Sequence, residues 1–355
     1  MIGWWMVMAL AFGWDELGEG AVRTGRTIDA AARFVDGQLP GAVTVQTDPQ
    51  ALGRVAARTA AMLRSTEKPE LKTAGALEDL GVTVDDVLRT LDLVAKVASE
   101  DAGAEVQRLH DPDFLAKTFT VRHWRPDTAS AGQRKTVVTD EKIRLTKYLV
   151  YQVSGSPVRT DTYTTALYAS PADKAQHPEL RKYTRMDAYA GVFEPGGAAH
   201  GLVEPLVYLT REGSNQALMQ GTVEVALPDG TTRLFNVHVN NGVAWKPRIK
   251  DLDLQPRYWT FREVEGVLGV EDVPLEAHVA VAGDIHNLGL GKLVALVDDA
   301  GVLRLAVVAD TGGAFLPNLF QLDWFAGAYP DHDAFAAGTK HLPRRAWAMV
   351  LLATE

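Results

Sequence analysis

The spacing of apolar and polar positions changes once along the chain. Up to about residue 118 the apolar positions recur at helical intervals. Asp48-Pro49 supplies an N-cap followed by proline at the first helical position, and QALGRVAARTAAMLRS continues as a helix to about Ser65, where EKPELKTAG breaks it. Thr83, with Asp86 three residues on, has the spacing of a capping box. In the helix that follows, Val84, Val87, Leu88, Leu91, Val94 and Ala98 keep one face apolar. DPDFLAKT, near Asp113, predicts a short third helix. Residues 14–45 show no clear period and are left unassigned.

From Thr118 the period becomes two. FTVRHW, KIRLTKYLVYQV, TYTTALYAS, LVYLT, QALMQGTVEVALPDGTTRLFNVHV and LVALVDDAGVLRLAVVAD predict strands, and AWAMVLLA predicts a buried final strand. Pro228-Asp229-Gly230 and Asp298-Asp299-Ala300-Gly301 each join two apolar runs and predict hairpins. Helices first and strands after point to a mainly β chain with N-terminal helices, an α+β layout whose strands form barrels or sandwiches.

The 355 residues suit about two domains, and 46% hydrophobic with 23% charged residues is ordinary for a globular protein. The net charge of -9, with dispersed acidic residues, argues against nucleic acid as the main partner. The chain has no cysteine, which excludes disulfides, thiol catalysis and a lipid anchor carried on Cys. Residues 1–12 are apolar and contain Ala9-Leu10-Ala11, but no Lys or Arg precedes them. They fit either a truncated export signal or a buried segment, and are too short to span a bilayer. His123, His238, His278 and His286 show no metal-ligand spacing, so no metal site is expected.

Candidate chemistry concentrates in AVVADTGGAFLPNLFQLDWFAG, residues 306–327. Asp310 ends an apolar run, and Gly312 and Gly313 after it allow a sharp turn and close approach to a ligand. Asp323 lies among Leu322, Trp324 and Phe325, surroundings that raise a carboxyl pKa and keep a proton available near neutrality. Read singly, Asp310 before Gly-Gly is also turn chemistry, and Asp323 could be the N-cap of a following helix.

Together with Asp284 in VAGDIHNLGLG, the motifs Asp310-Thr311-Gly312-Gly313-Ala314-Phe315 and Asp323-Trp324-Phe325-Ala326-Gly327 resemble the three-aspartate 3D domain. Upstream, Gln220-Gly221-Thr222, the hairpin at Asp229-Gly230 and Asn241-Gly242 are similar to segments of the membrane-bound lytic transglycosylase A family, with Gln216-Ala217-Leu218 where that family has paired Phe. The resemblance spans about residues 75–355. It implies a double-psi β-barrel with a second, inserted β-domain. The division expected is an unassigned segment over 1–45, helices and the first barrel strands over 46–144, the inserted β-domain over 145–258, and the 3D region completing the barrel over 259–355. It further implies a peptidoglycan glycan strand as partner, no metal or cofactor, and a periplasmic or cell-envelope location. The implied reaction cleaves the β-1,4 bond between N-acetylmuramic acid and N-acetylglucosamine with formation of a 1,6-anhydro sugar. Asp323 would be the acid and then the base, Asp310 would orient the site or keep Asp323 protonated, and Asp284 would support the fold. Gln220, Gly221, Thr222, Gly312, Gly313 and Trp324 would contact substrate, although Gln220-Gly221-Thr222 also reads as a strand with a small-residue bulge; Trp245, Tyr258 and Trp259 either stack on sugar faces or pack in the core.

Overall fold

The computed structural model describes residues 28–127, 140–170, 178–312, 315 and 318–354. The apolar run over 1–12, the unassigned residues up to 27 and Gly313 lie outside the described residues. In chain order the elements are α1 (Ala30–Arg33), β1 (Phe34–Gly37), β2 (Thr44–Val45), α2 (Pro49–Ser65), α3 (Val84–Glu100), α4 (Pro112–Thr118), β3 (Phe119–Trp124), β4 (Ile143–Ser156) and β5 (Thr165–Ala169). There follow α5 (Arg185–Tyr189), β6 (Glu204–Leu209), α6 (Arg211–Gln220), β7 (Thr222–Ala226), β8 (Thr232–Asn240) and β9 (Trp259–Val264). The last are β10 (Ala280–Ala282), β11 (Leu293–Val297), β12 (Val302–Asp310), β13 (Gln321–Tyr329), α7 (His332–Gly338) and β14 (Arg345–Ala353).

The three helices expected from periodicity form, with the caps their sequences carry. Asp48 accepts hydrogen bonds from the Gln50 and Ala51 amides, and Thr83 and Asp86 make a reciprocal capping box. Gly53 of α2 lies against Ala98 of α3, where a β-carbon would stand 2.4 Å from the Ala98 methyl.

The strands close into two rings. Strands β14, β11, β12, β10, β13 and β4 are paired in that order, and β4 pairs back onto β14 through Arg144 and Ile143. The second ring runs β4, β6, β5, β9, β8, β7 and returns to β4. The 14-residue β4 belongs to both: Arg144 to Tyr151 pair with β13, and Gly155 and Ser156 pair with β6. Each ring has its own apolar core. The first is filled from β10 to β14 and covered by α2 and α3, while the second gathers Leu167, Val207, Val223, Phe235 and Phe261.

Two expectations need correction. Residues 216–220, read as the start of a strand, are the end of α6. Thr210 caps that helix by accepting from the Gly213 amide, and Gly221 at φ +81 ends it; the Ala, Leu, Met and Gln of this stretch are good helix formers. The boundary expected at 258/259 falls just before β9, which pairs with β8 and places Trp259 and Phe261 in the second core.

Candidate active site

The site forms where β12, β10 and β13 lie side by side. Strand β10 is only three residues long and sits between the other two, parallel to β12 and antiparallel to β13. Ala282 is paired with Asp310 on one side and Asp323 on the other. Residues at one level of a sheet share a face, so the two aspartates flank the small Ala282 on one face. Their backbones are two strand spacings apart, about 9.5 Å.

A bulge makes this possible. Val281 pairs with Val308, but Ala282 pairs with Asp310, so Ala309 is an extra residue in β12. An unbroken register would set Ala309 against Ala282 and turn Asp310 to the other face. The turn beyond is held by the Gly283 amide donating to the Asp310 carbonyl (3.0 Å) and by the Thr311 hydroxyl donating to the Gly283 carbonyl (2.8 Å). Asp323 is an interior residue of β13, which excludes the helix N-cap reading.

Strand β4 supplies the third side. Asp323 is paired with Thr146, and Tyr148, two residues further on the same face, pairs with Phe325. The Tyr148 hydroxyl donates to Asp310 Oδ2 at 2.9 Å, and its ring lies 5.3 Å from that of Phe325. Arg144 pairs with Gln321, two residues from Asp323 on the other side. Thr146, Tyr148 and Arg144 were not singled out from the sequence. The signal available was the alternation in LTKYLVYQ, which puts Thr146 and Tyr148 on one face.

The two carboxyls differ in environment. Asp323 is 4% exposed, and its Oδ1 has no hydrogen-bond partner. Burial raises its pKa to about 7; a hydrogen bond with Thr146 opposes the rise, the charge of Asp310 adds to it, and Arg144 opposes it. Asp310 is only partly buried and has Tyr148 as donor. Its pKa is also pushed up to about 7 by burial, against the Thr311 amide and the Tyr148 hydroxyl. Burial and the neighbouring Asp310 hold the Tyr148 phenol well above its ordinary value, so it remains a donor.

Asp284 is fully buried and lies outside this pair. It accepts from the His286, Asn287 and Asn318 amides and from Asn287 Nδ2, at 2.7–3.2 Å. It thereby caps the π-turn Ile285–Gly289 and fastens the C-terminal end of the loop that joins Asp310 to Asp323. Gly312 is buried beside Asp310. Trp324 alternates to the opposite face of β13 and packs in the first core at 1% exposure, away from the carboxyl face. Thr222 precedes the pair Val223–Tyr151, which places Gln220, Gly221 and Thr222 where the rings join, roughly 15 Å along β4 from Thr146. Gln220 Oε1 is buried without a partner, and Thr222 accepts from Asn236. Tyr258 and Trp259 are buried in the second core, and Trp245 is partly exposed. Asn241 binds the backbone at Tyr183, Pro256 and Tyr258 and so ties a loop. Among the described residues no group of three or more His, Asp or Glu is placed to hold a metal ion.

The architecture has counterparts among solved structures. A membrane-bound lytic murein transglycosylase from Agrobacterium tumefaciens superposes with a TM-score of 0.59 at 17% identity, over 87% of this chain and 94% of that one. Escherichia coli MltA with bound chitohexaose gives 0.57 at 17% identity, over 91% and 95%. MltA from Neisseria gonorrhoeae gives 0.56 at 16%, over 86% and 88%. No family model and no curated protein sequence matches the chain. The chain therefore has the fold of the MltA lytic transglycosylases across most of its length.

Proposed function

We propose that the protein is a peptidoglycan lytic transglycosylase, acting outside the cytoplasm on the glycan strand. The observation that carries this reading is the pair of carboxyls flanking Ala282, one of them buried, protonated up to about pH 7 and with a free oxygen. The likeness in fold to proteins of that activity, one of them bound to chitohexaose, supports it. In this reading the six-stranded first ring is a double-psi barrel, the second ring is the inserted domain, and the glycan lies between them, against Gln220, Gly221 and Thr222. Gly312, beside Asp310, has no side chain to hinder its approach.

The chemistry follows from the proton on Asp323. The carboxyl donates it to the oxygen of the β-1,4 bond as the bond from C1 of N-acetylmuramic acid to that oxygen breaks. The positive charge developing at C1 is stabilised by the carboxylate left behind. The 6-hydroxyl of the same sugar then attacks C1 and returns a proton to Asp323, closing a 1,6-anhydro ring. Because nucleophile and electrophile share one ring, proximity replaces the second carboxylate of an ordinary hydrolase. Asp310, held by Tyr148, keeps Asp323 protonated through its charge. No metal or cofactor takes part in this scheme.

Two carboxyls on one face keep one alternative open, an inverting pair with Asp310 as base and Asp323 as acid, for which the carboxyl groups must stand far enough apart to admit a water. Digestion of purified peptidoglycan, with mass spectrometry of the products, separates the readings. The proposal requires 1,6-anhydromuramoyl ends; reducing muramic acid ends would assign a hydrolase, and absence of cleavage a glycan-binding protein.

A further inference from the structure

The second ring holds a cavity of about 350 Å³ that the chemistry above does not use. Ala166 in its wall pairs with Tyr208, and Tyr208 pairs with Ser156, ten residues along β4 from Thr146. The cavity is thus roughly 30 Å along that strand from the aspartates.

Its wall is charged in both senses. The Glu194 carboxylate accepts from the Tyr168 hydroxyl at 2.5 Å. Arg159 Nη1 stands 3.6 Å from the other oxygen of Glu194, beyond hydrogen-bond distance. Each charge therefore keeps unused bonding capacity. Thr165, 6% exposed, also lines the cavity, but its hydroxyl oxygen is sealed off from it. Gly196, at φ +88 with no atom within 4 Å of where its β-carbon would be, leaves this part of the wall open.

We propose that this cavity binds a small zwitterion: the ammonium and carboxylate of a free amino acid or short peptide, taken by Glu194 and Arg159. A lone anion or cation would meet one favourable and one repulsive charge. A neutral saccharide would gain little from the charges. The volume suits a ligand of this size.

The test is binding of L-alanyl-L-alanine to the full chain near neutral pH, followed by NMR titration. N-acetyl-alanyl-alanine amide and N,N′-diacetylchitobiose serve as uncharged comparisons. The free dipeptide is expected to bind saturably, with blocking of its termini weakening it by at least about tenfold, the scale of a charge-assisted hydrogen bond. Arg159→Gln and Glu194→Gln should each weaken it similarly. Arg159 is half-exposed, so that variant keeps the fold, as a thermal melt will show. Equal binding of free and blocked peptides, binding of the disaccharide in place of the dipeptide, or no saturable binding of the free dipeptide would overturn the proposal. Binding is read without turnover, so the result is independent of glycan cleavage.

Discussion

Replacing Asp323 by Asn separates its charge from its shape. An aspartate that titrates at 3.8 when unperturbed is raised to about 7 in the fold. A carboxyl raised in this way contributes stability in full below about pH 3.8, and that stability is lost as the pH rises from there through about 7. A rise from 3.8 to about 7 corresponds to about 4 kcal/mol. This is an upper bound, because Asp310 is raised similarly and the two titrate as a pair. Asn is neutral throughout. Asp323→Asn should therefore match the wild type in stability near pH 4 and exceed it by roughly 1–4 kcal/mol near pH 8. Urea unfolding of both proteins across that range measures the difference, since the other titrations largely cancel. The same variant should lose glycan cleavage while retaining glycan binding. Parallel stability curves would refute the buried, protonated carboxyl, and near wild-type cleavage would refute its role as acid.

Three further outcomes are expected. Asp310→Asn removes a charge that raises the pKa of Asp323, so the loss of kcat/KM on the alkaline side should move to lower pH, with a smaller loss of rate than Asp323→Asn; a limb that stays or moves up contradicts the coupling. Asp284→Ala breaks four hydrogen bonds to a buried carboxylate and should cost about 3 kcal/mol in urea unfolding; a cost below about 0.5 kcal/mol, usual for a surface site, would show that the loop is held elsewhere. Lys292 is fully buried without a partner for its amine, and burial lowers its pKa from 10.5 to about 7. Here the unfolded chain binds the extra proton between about pH 7 and pH 10.5, so Lys292→Met should stabilise by a few kcal/mol at pH 7 and lose that advantage as the pH approaches 10.5; destabilisation at pH 7 would mean that the amine has a stabilising partner.

Elements with strong local signals were legible in the sequence. The caps at Asp48 and Thr83 announced α2 and α3, and period-two runs with turn residues between them announced β11, β12 and β14. Stretch 216–220 misled because its neighbours on both sides are strands, while its own residues favour helix and Thr210 is in place to cap it. Strand β10 was not legible, since three small apolar residues carry no period of their own. Trp324 drew notice by standing next to Asp323, but adjacent residues in a strand face opposite ways. Tyr148 is 162 residues from Asp310, and nothing local to either could announce their hydrogen bond.

The placement of the carboxyls depends on register more than on residue type. Asp310 and Asp323 are thirteen positions apart in sequence, and alternation alone does not decide whether their side chains share a face. The bulge at Ala309 settles this, because one extra residue in β12 brings Asp310 level with Ala282. Ala282 is in turn level with Asp323 through β10 and β13. A larger residue at 282 would separate the carboxyls physically, so Ala282 is as much a part of the site as the charges it lies between. Ala282→Leu tests this. It should leave β10 paired, since its backbone hydrogen bonds do not involve the side chain. It should raise the pKa of Asp323 further, because an apolar side chain displaces water, deepens the burial that is the main cause of the rise, and does not weaken the charge of Asp310 that adds to it. The alkaline limb of activity would then move up, opposite to Asp310→Asn. A limb that moved down would mean that the larger residue had opened the site to water and had not filled the space between the carboxyls.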